Sequence, residues 1–120
     1  MILAALALST HLSIAPWTGA DPKNAIAGAT KYRLTLAGKP GAHVHVRATG
    51  EAKGWIAAFC TDRVCSPDQT VLDLPDSGTA DISFELVRDD DTAPLKSGTV
   101  TLRTDDGARL VIPSVGPAGP

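Results

Sequence analysis

The clearest structural signal in this chain is the stretch GWIAAFCTDRVCSP, residues 54–67. Its first half, from Trp55 to Cys60, is almost entirely apolar, which is typical of a strand buried on both faces. Cys65 follows shortly afterwards, and the chain contains no other cysteine. The stretch therefore predicts a central strand that turns back soon after Cys60, with both cysteines close to the turn.

On both sides of this stretch, apolar and polar residues alternate with the period of two that indicates half-buried strands. Seven strands are predicted, over residues 31–36, 43–48, 55–60, 71–74, 81–86, 99–103 and 110–112. No segment after Lys31 has a helical period, and a parallel sheet would need crossover helices. The sequence therefore predicts an all-β, antiparallel sandwich over residues 31–113. Its predicted core contains Trp55, Phe59, Phe84, Leu86, Val100 and Leu102.

The beginning of the chain has the character of an export signal. Residues 1–20 contain no Asp, Glu, Lys or Arg, and residues 2–8 are apolar. Small residues suitable for cleavage precede positions 16 and 21, although no positive charge stands before the apolar run. We therefore interpret residues 1–20 as a signal peptide, 21–30 as a linker and 114–120 as a Pro/Gly-rich tail. The mature protein is expected to be exported, periplasmic or extracellular, and not inserted in a membrane.

The motifs around Trp55 resemble those of a known group of domains. Gly54-Trp55 with Phe59-Cys60, then Cys65-Ser66-Pro67 and the strand at 71–74, is similar to the pattern in bacterial secreted Ig-like or fibronectin-type (NEW3-like) accessory domains. The resemblance implies an Ig-like sandwich in which Trp55 packs into the core.

Composition and motifs favour a binding role over catalysis. The formal net charge is -2 and aromatic residues make up 4% of the chain, so neither a basic field nor stacking platforms point to nucleic acid. No nucleophile elbow or Gly-rich phosphate loop is present. We therefore expect a non-catalytic module without a cofactor, which mediates protein interactions and whose protein partner is unknown.

A small copper-binding protein is the alternative. His43 and His45 alternate with valines and should share one strand face with Arg47, the imidazoles lying about 6.5–7 Å apart. Two imidazoles are too few for a tight metal site, and Cys60 and Cys65 could complete it only if they were reduced and nearby. We therefore predict no metal at this polar face.

The cysteines and the aspartates allow further interpretations. In an exported chain Cys60 and Cys65 should form a structural disulfide, which closes a small loop and stabilises by about 2 kcal/mol. A redox-active pair is the rival, but the spacing is not that of a thiol oxidoreductase. Asp89, Asp90 and Asp91, together with Asp105 and Asp106, could bind calcium, although an acidic loop in water is the simpler interpretation.

Overall fold

The computed structural model describes residues 10–50, 54–88 and 98–115 of the 120-residue chain. All regular elements in these ranges are strands. They are β1 (His11–Pro16), β2 (Thr30–Ala37), β3 (His43–Thr49), β4 (Trp55–Cys60), β5 (Cys65–Pro67), β6 (Gln69–Asp73), β7 (Thr79–Arg88), β8 (Gly98–Thr104) and β9 (Arg109–Val115). The all-β prediction is confirmed, with nine strands instead of seven. No helix among these residues is long and apolar enough to cross a membrane.

The strands form two packed antiparallel sheets. The five-stranded sheet has the order β1-β2-β7-β4-β5, and the four-stranded sheet has the order β6-β3-β8-β9. The chain passes from one sheet to the other several times, so that β3 and β6 lie in one sheet while β4 and β5, between them in sequence, lie in the other. The predicted antiparallel β-sandwich is therefore confirmed.

The core lies between the inner faces of the two sheets, as the alternation predicts. Phe59 and Phe84 stand opposite each other on β4 and β7, with ring centroids 5.1 Å apart. Tyr32 reaches Phe84 from the other side, at 6.4 Å. All six residues that were assigned to the core from the sequence are buried: Trp55, Phe59, Phe84, Leu86, Val100 and Leu102.

Strand β1 lies within the segment that was interpreted as a signal peptide. Its Leu12 is 5% exposed and stands opposite Leu36 of β2. Among the described residues the sheet thus begins at His11 and not near Lys31, so the predicted segment boundaries at residues 20 and 30 do not coincide with the bounds of the strands. The cleavage itself stays a prediction. Strand β5 was not predicted either, because three residues are too few to show a period.

Residues 17–29, here called the strap, cross the outer surface of the five-stranded sheet. The Ile26 N–H donates to Glu85 Oε1 at 2.8 Å, and the Asn24 side chain donates to the Thr61 carbonyl oxygen at 3.2 Å. Under the strap, Ala58 and Cys60 point outward from β4 and are nevertheless buried. The predicted burial of β4 on both faces is therefore confirmed at Ala58 and Cys60, where the strap and not a second sheet lies over the outer face.

The last two strands form a hairpin, and its turn is longer than the two-residue loop of which an Asp-Gly pair such as Asp106-Gly107 is typical. Arg103 stands opposite Arg109, and the Gly107 N–H donates to the Thr104 carbonyl oxygen at 3.2 Å. Gly107 has a φ of 97°, in the left-handed region. This is the type of hairpin loop in which a turn is closed by a left-handed residue.

Gly78 fixes the approach of two loops at one end of the sandwich. The Gly38 N–H donates to the Gly78 carbonyl oxygen at 2.8 Å. Gly78 has a φ of 76°, and a Cβ at this position would lie 2.6 Å from the Gly38 carbonyl oxygen. The position therefore needs glycine both for its backbone conformation and for space.

Replacing Gly78 by alanine should destabilise the protein far more than the same change at Gly41. Gly41 has a similar φ of 78°, but a Cβ there would have nothing within 4 Å, so Gly41→Ala reports the conformational penalty alone. We expect Gly78→Ala to lower the free energy of unfolding by about 1–3 kcal/mol more than Gly41→Ala, because the backbone of Gly38 must also move away from the new Cβ. Urea unfolding of both variants measures the difference. Equal losses of unfolding free energy in the two variants would show that the loops of Gly38 and Gly78 can move apart at no energetic cost.

Candidate functional site

The outer face of the four-stranded sheet gathers the polar side chains that the sequence analysis singled out. His43, His45 and Arg47 alternate with the buried Val44, Val46 and Ala48, so the predicted shared face is confirmed. We call the outward residues of this sheet the outer face. They are His43, His45, Arg47 and Thr49 on β3, Gln69, Val71 and Asp73 on β6, Thr99, Thr101 and Arg103 on β8, and Arg109 and Val111 on β9.

His45 is held on both sides by acceptors. Its Nε2 lies 2.7 Å from Gln69 Oε1, and its Nδ1 lies 3.1 Å from Asp105 Oδ2. Because both partners are oxygen atoms, a protonated imidazolium can donate to both of them, whereas a neutral ring can donate to only one. The hydrogen bond to Gln69, and then that to Asp105, raise the pKa of His45; partial desolvation and the charge of Arg47 oppose this without cancelling it.

Two carboxylates extend this arrangement. Asp105 also accepts from Arg47 Nη2 at 2.8 Å, so one carboxylate contacts both the guanidinium group and the imidazole ring. Asp73, opposite His43 across the strand pair, pairs with His43 Nδ1. His43 and Asp73 are both largely exposed. The face thus has its own network of hydrogen bonds and ion pairs before any ligand arrives.

This network leaves few free ligand atoms for a metal ion. Both nitrogens of His45 are occupied, and the cysteines that might have joined the histidines lie in the other sheet. Among the described residues, the one group of three or more potential ligands within 4.8 Å of one another is Cys60, Cys65 and Glu85, which contains no histidine. The Cys2His2 set considered from the sequence therefore does not form.

Three arginines stand side by side across the outer face. Arg47 is directly opposite Arg103, and Arg103 is directly opposite Arg109. Like charges in directly opposed positions repel each other. Arg47 has Asp105, but within the described part of the chain neither Arg103 nor Arg109 has an ion pair. Sequence reasoning missed this row, because nothing in the sequence says which strands become neighbours.

The outer face also exposes apolar surface. Val71 on β6 is 62% exposed and Val111 on β9 is 44% exposed. These two strands are the edges of the sheet, so the valines flank the polar centre. A nearby pocket of about 160 Å³ is lined by His43, His45 and the β8–β9 turn. It is smaller than the roughly 300–1,000 Å³ of typical small-molecule sites, and the face is better suited to a broad contact.

The calcium ligands that the sequence analysis considered are only partly within the described residues. Asp89, Asp90 and Asp91 lie outside the described residues. Asp106 accepts from the Thr10 N–H at 2.7 Å and from the Thr104 hydroxyl. Burial by itself raises the pKa of Asp106, but these hydrogen bonds lower it to below its usual value. Asp106 is thus a structural clasp between the residue before β1 and the β8–β9 turn.

The cysteines lie close to the turn after β4, as the sequence predicted, and next to Glu85, which the sequence analysis did not single out. Cys60 and Cys65 stand opposite each other on β4 and β5, at disulfide distance. Glu85 of β7 lies next to them and is fully buried. The alternation places Glu85 on the outward side of its strand, where a carboxylate normally meets water. The strap that covers it has no sequence period by which it could have been anticipated.

The effect of these hydrogen bonds on the pKa of His45 should be measurable. We expect the folded-state pKa of His45 to lie above 6.5, and Gln69→Ala and Asp105→Asn each to lower it, because each weakens or removes an acceptor. The stabilisation from this group is fully present below the unfolded-state pKa and is lost as the pH rises through the folded-state value. NMR titration of the imidazole carbons measures it. Asp73→Asn, which alters only the partner of His43, is the matched control; an unshifted pKa in all variants would contradict the network.

Comparisons with known proteins do not extend this description. No family model, no curated protein and no solved structure matches the chain.

Proposed function

We propose that this protein is an exported, non-catalytic Ig-like module that binds an acidic segment of a partner protein through its outer face. The observation that carries the proposal is the row Arg47, Arg103 and Arg109, in which two of the three guanidinium groups have no acidic partner within the described residues.

The row is unfavourable for folding by itself. Opposed like charges on neighbouring strands destabilise a sheet, and a sandwich of this kind needs only polar residues at these positions. A local conflict of this type is what a functional surface commonly contains. A partner's carboxylates would remove the repulsion between Arg103 and Arg109, and arginine binds carboxylates in a planar, two-pronged geometry.

The rest of the outer face fits the same use. Val71 and Val111 are exposed and offer apolar surface that a partner could bury. Arginine is among the residues that are enriched in protein interfaces. The Arg47–Asp105–His45–Gln69 network holds the polar centre in place on a rigid sheet. Fixing side chains before binding reduces the entropy that association would otherwise remove.

A non-catalytic role is supported by the small size of the neighbouring pocket. Export is supported by the cysteine pair at disulfide distance and by the uncharged start of the chain.

The binding proposal can be tested with a synthetic peptide of alternating Glu and Val residues, labelled for fluorescence anisotropy, and with a Lys/Val peptide of the same length. We expect the Glu/Val peptide to bind and the Lys/Val peptide not to bind, and we expect the affinity for the Glu/Val peptide to fall as the ionic strength rises. Arg103→Glu with Arg109→Glu should abolish binding. In NMR spectra of the wild type, the peptide should shift resonances of β3, β8 and β9.

The matched control is Arg63→Glu with Lys39→Glu, which changes the net charge equally at exposed turn positions outside the outer face. Its binding should stay close to that of the wild type. Equal loss in both double variants would show a nonspecific charge effect, and no binding by the wild type would refute recognition of acidic segments. Circular dichroism confirms that each variant is folded.

The copper-binding alternative is tested separately. We expect no submicromolar binding of Cu²⁺, because His45 would have to give up one of its two hydrogen bonds to coordinate a metal, and two imidazoles are too few ligands for a tight site. Calorimetric titration of the wild type, and of a variant with His43→Gln and His45→Gln, measures this. Tight one-to-one binding that the double variant loses would favour the metal-binding function over the protein-binding one.

A further inference from the structure

A second site lies on the opposite sheet, under the strap. There Glu85 is buried with no exposed surface, and within the described residues no cation forms an ion pair with it. Its two oxygens accept from the Ile26 N–H and the Ser83 hydroxyl, each at 2.8 Å. Burying a carboxylate is costly even with such hydrogen bonds.

The surroundings of Glu85 have the composition of a metal site. One oxygen of Glu85 and the sulfur atoms of Cys60 and Cys65 all lie within 4.8 Å of one another. The carbonyl oxygen of Asn24, in the strap, lies 3.1 Å from Cys65 Sγ. Two sulfurs, a carboxylate and a carbonyl oxygen thus converge from β4, β5, β7 and the strap. Each oxygen of Glu85 has a further lone pair beyond its present hydrogen bond.

We propose that the reduced form of this protein binds one divalent zinc ion through Cys60, Cys65 and Glu85. A dithiol reductant supplies two electrons and two protons to the disulfide, and is itself oxidised to a disulfide. The two cysteine thiols then lose their protons to solvent as they coordinate the metal, because thiolate is the ligand form. A disulfide compound can act as the oxidant: it accepts two electrons from the two thiolates, is itself reduced to a dithiol with two protons from solvent, and the Cys60–Cys65 bond forms again. The ion is then released.

Zinc suits this set better than the other common ions. It accepts thiolate and carboxylate ligands together in a four-coordinate arrangement. Calcium and magnesium require oxygen ligands, which excludes a site with two sulfurs. Glu85 is the residue that distinguishes this proposal from a plain structural disulfide, because its carboxylate supplies the third ligand beside the two cysteines.

The test uses the full chain, reduced with a phosphine and titrated with Co²⁺ as a spectroscopic substitute for zinc. We expect one equivalent of Co²⁺ to produce a thiolate-to-cobalt charge-transfer band, and one equivalent of Zn²⁺ to remove it. The oxidised protein should show no band. Zinc should also slow alkylation of both cysteines in the reduced protein.

Glu85→Gln keeps the shape of the side chain and removes its charge, so it should weaken Co²⁺ binding by more than about tenfold, the loss that even outer partners of metal ligands can cause. Ser83→Ala is the matched control, because it removes one hydrogen bond of Glu85 and keeps all three ligands. Circular dichroism establishes that the reduced proteins are folded. If the folded, reduced wild type gives no band, or if Glu85→Gln binds as tightly as the wild type, the three-ligand site is wrong.

Discussion

The register of β7 is the constraint on which the rest of the structure depends. This strand is the middle of the five-stranded sheet, with β2 on one side and β4 on the other. Its inward residues, Phe84 above all, pack against Phe59 and Tyr32. A shift of one residue would turn these rings outward and bring Ser83 and Glu85 into the core. The burial of Phe84 therefore also fixes where Glu85 lies on the other surface.

From that register follows the unusual outer surface of the five-stranded sheet. Such a surface would ordinarily face water, yet here the strap covers its centre and is held there by Glu85. The covered carboxylate, the two cysteines and the strap carbonyl of Asn24 are near one another for this reason. A loop without regular structure thus converts an ordinary sheet face into an enclosed polar site.

The four-stranded sheet has the opposite character, since its outer face is uncovered among the described residues and rich in charge. Asp105 is central there, because it binds both His45 and Arg47 and comes from the β8–β9 turn. The proposed protein-binding surface and the proposed zinc site lie on different sheets. They share no residue, so each can be altered while the other is kept.

The sequence by itself determined which residues of each strand share a face. Alternation is a local property of extended backbone, so it was sufficient to predict the buried Phe84 and Leu102 and the common face of His43, His45 and Arg47. It also indicated that Cys60 and Cys65 would meet, because a short turn joins them. Only the tertiary structure decided which strands are neighbours. Strand pairing depends on contacts between distant parts of the chain, and it alone brought Arg103 beside Arg47, Glu85 beside the cysteines and β1 into the sheet.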